Sequence, residues 1–199
     1  MEKREIRSGT AVLGSGATLP LLHTGEVKRM DYVKEIPAGK RWAIATRSAT
    51  AFPFVYDKAF RELAGEEMSG AIDRIERRIW KEAGEEQAAI ARELGCPRNN
   101  AANVAYTFSA LSTVILGPDL QGYVEEGEGD TARMITTSCP MEKNGRIFQT
   151  NMEQVCKDCY TYTGAAVKSL NPAYRVRFEK SMCSGDSACD MSLVPREPR

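Results

Sequence analysis

The stretch NMEQVCKDCYTYTGAAVKSLNPAYRVRFEKSMCSGDSACDMSLV, residues 151–194, decides the fold. In its first part Met152, Val155, Cys156, Cys159, Thr163, Val167 and Leu170 recur at helical spacing and share one face. Asn171-Pro172 then halts the helix, because proline has no amide hydrogen to continue the ladder. Beyond the proline the chain alternates with period two. Tyr174, Val176, Phe178 and Met182 fall on one side, and Arg175, Arg177, Glu179, Ser181 and Cys183 on the other. The turn Ser184-Gly185-Asp186-Ser187 sends the chain back through 188–194, so 173–183 and 188–194 are expected to form a β-hairpin.

Upstream, 132–138 is rich in threonine and β-branched residues and reads as a strand that delivers Cys139-Pro140 to its end, followed by a turn at Asn144-Gly145. The acidic, glycine-containing stretch 122–130 suits a hairpin tip. Helical patterns precede it. Asp57 can cap a first helix bearing Phe60 and Leu63, and Ser69 a second with Ile72, Ile75, Ile79 and Ala83 on its buried stripe. Gly84 interrupts this stripe, and a third piece through Ile90 and Leu94 ends at Gly95 and Pro97. A fourth helix from Asn100 carries Val104, Phe108, Leu111 and Ile115 and stops at Gly117-Pro118. Segments 26–36 and 41–49 read as strands around Pro37-Ala38-Gly39. Residues 1–24 show no period and read as an irregular arm holding His23, the only histidine. The expectation is a single α+β domain over 25–199, with helices packed on an antiparallel sheet and a C-terminal hairpin carrying a cysteine metal site within about 135–195.

With 27 basic and 27 acidic residues, no net field draws the chain to nucleic acid or an anionic surface, and neither partner is expected. No stretch approaches the roughly 20 apolar residues of a membrane span, and the first thirty residues lack the ~7–15-residue apolar core of a signal peptide. A cytoplasmic protein with reduced thiols is therefore expected. Six cysteines, at 96, 139, 156, 159, 183 and 189, then speak for metal ligation or redox chemistry before disulfides. If the late helix packs on the hairpin, Cys156, Cys159, Cys183 and Cys189 converge with Glu179, a soft donor set suited to zinc or to a 4Fe-4S cluster. Buried free cysteines acting as small hydrophobes are the other reading, and a redox disulfide a third. Cys139 is a further cofactor-binding candidate or a thiol lining a pocket. Cys96, between Gly95 and Pro97, reads as incidental, and Arg175 and Arg177 as charge balance for Glu179. No dinucleotide, phosphate-loop, nucleophile-elbow or His-Glu-x-x-His motif is present.

The ordered run Thr136-Thr137-Ser138-Cys139-Pro140, Cys156-x2-Cys159, Leu170-Asn171-Pro172 and Ser181-Met182-Cys183-Ser184-Gly185-Asp186-x2-Cys189 resembles the L-2-amino-thiazoline-4-carboxylic acid hydrolase-like family. The ending, Glu179 through Cys189, is also similar to the 4-vinyl-reductase domain of hydrocarbon sensors and tetrapyrrole biosynthesis proteins. The resemblance spans about 85–195, with its motifs from 135 onward. It implies an α+β fold and a zinc beside a small-molecule pocket, with Cys156, Glu179, Cys183 and Cys189 matching the ligand set by position and Cys159 as an extra thiol. For the hydrolases it implies addition of water to a thiazoline ring, by a zinc-bound hydroxide if one coordination position is open. The expected function is thus a metal-containing hydrolase-like protein for a small heterocycle. The alternatives are a non-catalytic small-molecule binder or accessory protein braced by zinc, and an iron-sulfur redox partner. A homodimer is left open.

Overall fold

A computed structural model describes residues 31–197, so the arm 1–24 and His23 lie outside the described residues. The chain divides into two units, Met1–Glu35 and Ile36–Arg199. The described part of the first is the short helix α1 (Asp31–Glu35). The second unit is α+β. It runs α2 (Ala38–Ala64), α3 (Ser69–Glu93), α4 (Ala101–Leu116), β1 (Gln121–Glu126), β2 (Ala132–Ser138), α5 (Pro140–Ile147), α6 (Met152–Leu170), β3 (Tyr174–Lys180) and β4 (Cys189–Pro195), with 3-10 turns at Glu66–Met68 and Met182–Ser184. Among the described residues no helix is long and apolar enough to cross a membrane.

The four strands form one antiparallel sheet in the order β1-β2-β4-β3. Helix α4 packs on this sheet by the stripe the sequence predicts, with Val104, Phe108 and Leu111 buried against Met134, Met191 and Leu193. Its start is fixed by the Asn100 side chain, which accepts from the Asn103 amide at 2.8 Å. Its end is fixed by Gly117, whose φ of 93° is open to glycine at little cost. Helix α6 begins in the same way, with Asn151 accepting from the amides of Glu153 and Gln154. It buries Ala166, Val167 and Leu170 in the core.

Five local expectations are corrected, the first being the cap at Asp57, which lies inside α2 because that helix already starts at Ala38. Residues 41–49 are helical: Thr46, Thr50 and Phe54 recur one turn apart on the buried face of α2, and Thr46 and Thr50 satisfy their hydroxyls on the carbonyls of Trp42 and Thr46 at 2.8 and 2.9 Å. The described end of 26–36, residues 31–35, is helical too. Gly84 does not break α3: it sits in mid-helix, where a Cβ would collide with the Tyr162 carbonyl oxygen and stand 3.0 Å from Ala165 Cβ. The absent side chain is what lets α3 and α6 lie close. The buried face of α3 accordingly runs through Gly84, Gln87, Ala88 and Ala91, while Ile75 and Ile79 of the expected stripe are 50% and 53% exposed. Asn144-Gly145, finally, lies inside α5, where Gly145 is buried against Met152 and Val155.

Candidate functional site

A cavity of about 230 Å³ opens between α2, α3, α4, α5, α6 and the β2-β4 part of the sheet. Phe54, Trp80, Phe108, Leu116, Val155 and Met191 supply apolar wall. Two groups of polar side chains interrupt it.

The first group is carboxylic. Asp57 and Arg61 stand one helical turn apart on α2, on the side that also buries Phe54, and meet Glu76 of α3 and Asp158 of α6 at the cavity. The Arg61 guanidinium donates to Asp57, to Ser69 Oγ at 2.9 Å, to Asp73 at 2.8 Å and to Glu76 at 2.9 Å. Burial by itself would lower the Arg61 pKa, but Asp73, Asp57 and Glu76 more than offset it and hold the guanidinium charged. Glu76 is pushed up to about 8, first by burial and then by the Asp57 charge beside it, with Asp158 adding and Arg61 opposing. Asp158 rises to about 6 through burial, against the Gln154 amide, which donates to it at 2.9 Å; the charges of Asp73 and Asp57 raise it and that of Arg77 lowers it. Two of these carboxyls therefore titrate above the usual carboxylate range, one on each side of neutral pH. The Ser112 hydroxyl is buried on the cavity wall beside the Tyr162 hydroxyl.

The second group is sulfur. Cys139, Cys159 and Cys189 are free thiols that line the cavity. All three are held protonated: burial raises the Cys159 pKa to about 12, with Cys139 and Cys189 adding to it, and burial likewise raises Cys139 and Cys189. Protonated thiols make a soft, weakly polar wall and poor nucleophiles.

The sequence-predicted ligands part company here. Cys156 and Cys159 share a helix face only loosely, since three residues turn the helix by about 300° and leave the two sulfurs roughly 60° apart. Cys156 faces the Met182–Ser184 turn, where it is joined to Cys183 in a disulfide and lies 3.3 Å from Ser184 Oγ. Cys159 faces the cavity instead. Glu179 is exposed, because the ladder slips between Phe178 and Lys180 and the 3-10 turn ends the alternation that would have aligned it with Cys183. Cys189 accepts from the Met182 amide at 3.3 Å. A disulfide sulfur is not a thiolate ligand, so Cys156, Cys159, Glu179, Cys183 and Cys189 as found do not fit a zinc ion or a cluster. Among the described residues no group of three or more His, Cys, Asp or Glu side chains is arranged to hold a metal ion.

Sequence reasoning missed Asp57, Arg61, Glu76 and Asp158. An Asp–Arg pair at i,i+4 looks like a solvated helix face. The available signal was that both residues lie on the turn-repeat of Phe54, three and seven positions on, which directs them inward with it.

The fold and the cavity together define the class: an α+β domain with a mostly apolar pocket that opens to solvent. No family model matches the chain, and no curated protein is similar to it in sequence. Solved structures are similar in fold. A trafficking protein particle complex subunit 3 from Naegleria fowleri, crystallised covalently bound to palmitic acid, superposes with a TM-score of 0.50 over 77% of this chain and 96% of its own, at 10% identity. The phenol-responsive sensory domain of the transcription activator PoxR, crystallised with phenol, superposes with a TM-score of 0.49 over 73% of this chain and 74% of its own, at 14% identity.

Proposed function

We propose that this protein binds a small, largely apolar molecule in the cavity between its helices and sheet, and that the bound molecule carries a hydrogen-bond-donating or cationic group. The cavity itself carries the reading. A dry apolar cavity of about 150 Å³ accepts benzene, so about 230 Å³ has room for one ring with a short polar arm. Aromatic and aliphatic walls would supply affinity, and a few convergent polar groups would fix orientation. The acceptors among those groups that face the cavity are the carboxylates of Asp57 and Asp158. An ammonium or phenolic hydroxyl would satisfy them. A carboxylate ligand would add negative charge to a wall that already has more carboxyls than guanidinium, and is disfavoured.

Calorimetric titration with benzylamine, phenol and benzoate tests this. Benzylamine and phenol are expected to bind saturably, and benzoate at least ~10-fold more weakly. Ala83 lies exposed on the cavity rim. Ala83→Trp is expected to block binding of all three without lowering the melting temperature. Equal affinity for benzoate, or unimpaired binding in Ala83→Trp, would exclude this reading. The thiazoline hydrolysis implied by the resemblance is read in the same series by offering 2-aminothiazoline-4-carboxylate and monitoring ring opening.

A second reading keeps the metal, on the observation that Cys156, Cys183 and Cys189 all adjoin the Met182–Ser184 turn. Reduction of the disulfide would return two thiols beside the third, a donor set for zinc or a cluster. Metal analysis of reduced protein decides it. One equivalent of zinc or iron that is lost in Cys183→Ala and Cys189→Ala, and kept in Cys96→Ala, is the expected result. Metal-free reduced protein would end it.

A further inference from the structure

The outer face of α2 is apolar from end to end. Ile44, Phe52, Val55, Tyr56, Phe60 and Leu63 are all exposed, Leu63 to 86%, on the side opposite the buried Thr46, Thr50 and Phe54. Phe52, Tyr56 and Phe60 form a ladder along it, with successive ring centroids 6.1 and 6.2 Å apart. A helix with one face in the core and the opposite face aromatic has two sides to cover. At roughly 100 Å² each, about half of what an aromatic side chain can bury, six such residues present roughly 600 Å². With flanking side chains this approaches the ~800 Å² per partner of a standard interface.

The charge pattern selects the occupant. Lys40 and Arg41 lie at the N-terminal end of α2, and Glu62, Glu66 and Glu67 at or just beyond its C-terminal end, with Lys58 the exception and Arg47 turned to Asp119. Parallel packing of two such helices sets like charge on like. Antiparallel packing sets each basic end on an acidic one. It also aligns four of the six apolar residues: Ile44 with Leu63 and Phe52 with Val55 are centred on the same point, between Pro53 and Phe54, and Lys40 and Glu67 stand equally far from it in sequence. A face whose apolar and charged pairs share one midpoint is self-complementary under a two-fold axis, as an isologous interface requires.

We propose that α2 docks on α2 of a second copy of this chain, antiparallel, about a two-fold axis at Pro53–Phe54. Sedimentation velocity of the full chain is expected to give a particle of twice the chain mass at micromolar concentration. Phe52→Glu with Leu63→Glu should give a monomer of unchanged far-ultraviolet circular dichroism, since both residues are exposed. Lys40→Glu and Glu67→Lys should each weaken dimerisation by ~3–10-fold, and the two together should restore it. Three results would overturn the proposal: a monomeric wild type, a dimer that survives Phe52→Glu with Leu63→Glu, and a charge swap that does not recover.

Discussion

Gly84→Val is expected to destabilise the protein by about 3 kcal/mol, at the upper end of what overpacking costs, or roughly 6–12 °C in melting temperature for a chain of this size. At an exposed helical site the opposite sign would be expected even for Gly→Ala, which gains about 1 kcal/mol. Here the added Cβ meets groups that cannot swing away: the Tyr162 carbonyl oxygen, Ala165 Cβ at 3.0 Å and the Ala166 amide nitrogen at 3.1 Å. The helices must separate, and α6 brings Asp158, Cys159 and Tyr162 to the cavity wall. Thermal denaturation of Gly84→Ala, at ~1–2 kcal/mol of loss, and of Gly84→Val in order of side-chain size would establish the close approach. A stabilised Gly84→Ala would refute it.

The second large effect is in the pH dependence. Glu76 rises from its ordinary 4.5 to about 8, and Asp158 from 3.8 to about 6. In both, the folded protein keeps a proton that the unfolded chain has released. Their contribution is therefore fully present below the ordinary carboxylate range and is lost as pH rises, through about 6 for Asp158 and about 8 for Glu76. Groups shifted the other way, Asp130 and Asp190, lose their contribution only at acid pH, below this window. Since the cavity is open to solvent, the loss between pH 5 and 8.5 is expected to be on the order of 2 kcal/mol, below what the bare shifts would give at 1.36 kcal/mol per unit. Denaturant titrations across that range should show wild-type stability falling and the Glu76→Gln, Asp158→Asn variant nearly flat. A wild type that gains stability from pH 5 to 8.5 would contradict the buried carboxyl assignment. The same protons matter for binding: an ammonium ligand should tighten as pH rises and the wall ionises, until the ligand itself loses its charge.

The C-terminal half of the fold is legible because its signals are local. Asn151 and Asn171-Pro172 fix helix α6 almost to the residue, and the alternation from Tyr174 fixes the start of strand β3, which ends at Lys180, three residues short of the expected 173–183. The N-terminal half misleads because its helices are decided by partners. Thr46 and Thr50 carry strand propensity but spend their hydroxyls inside a helix. On α3 the isoleucines advertise a buried stripe, whereas close packing chose the smaller residues Gly84, Ala88 and Ala91. The site divides in the same way. Cys139, Cys159 and Cys189 can be picked from the sequence as candidates, and all three line the cavity. That Cys159 turns to the cavity while Cys156 turns to Cys183 is not legible in the sequence, since it depends on a roughly 60° difference in helix direction and on where the hairpin turn seats Cys183. The carboxyl cluster at Arg61 is legible only in part: the turn-repeat of Phe54 directs Asp57 and Arg61 inward, but Glu76 and Asp158 come from two other helices and each looks like an ordinary surface charge.

Methyl-labelled methionines report most directly on whether the cavity holds a ligand. Met141 and Met191 line it, and Met68 is exposed on the 3-10 turn after α2. On addition of benzylamine, the carbon–proton correlations of Met141 and Met191 should shift saturably and that of Met68 should stay fixed, with no change in Ala83→Trp. Unmoved Met141 and Met191 signals at saturating amine, or shifts that persist in Ala83→Trp, would mean that the pocket is not a binding site.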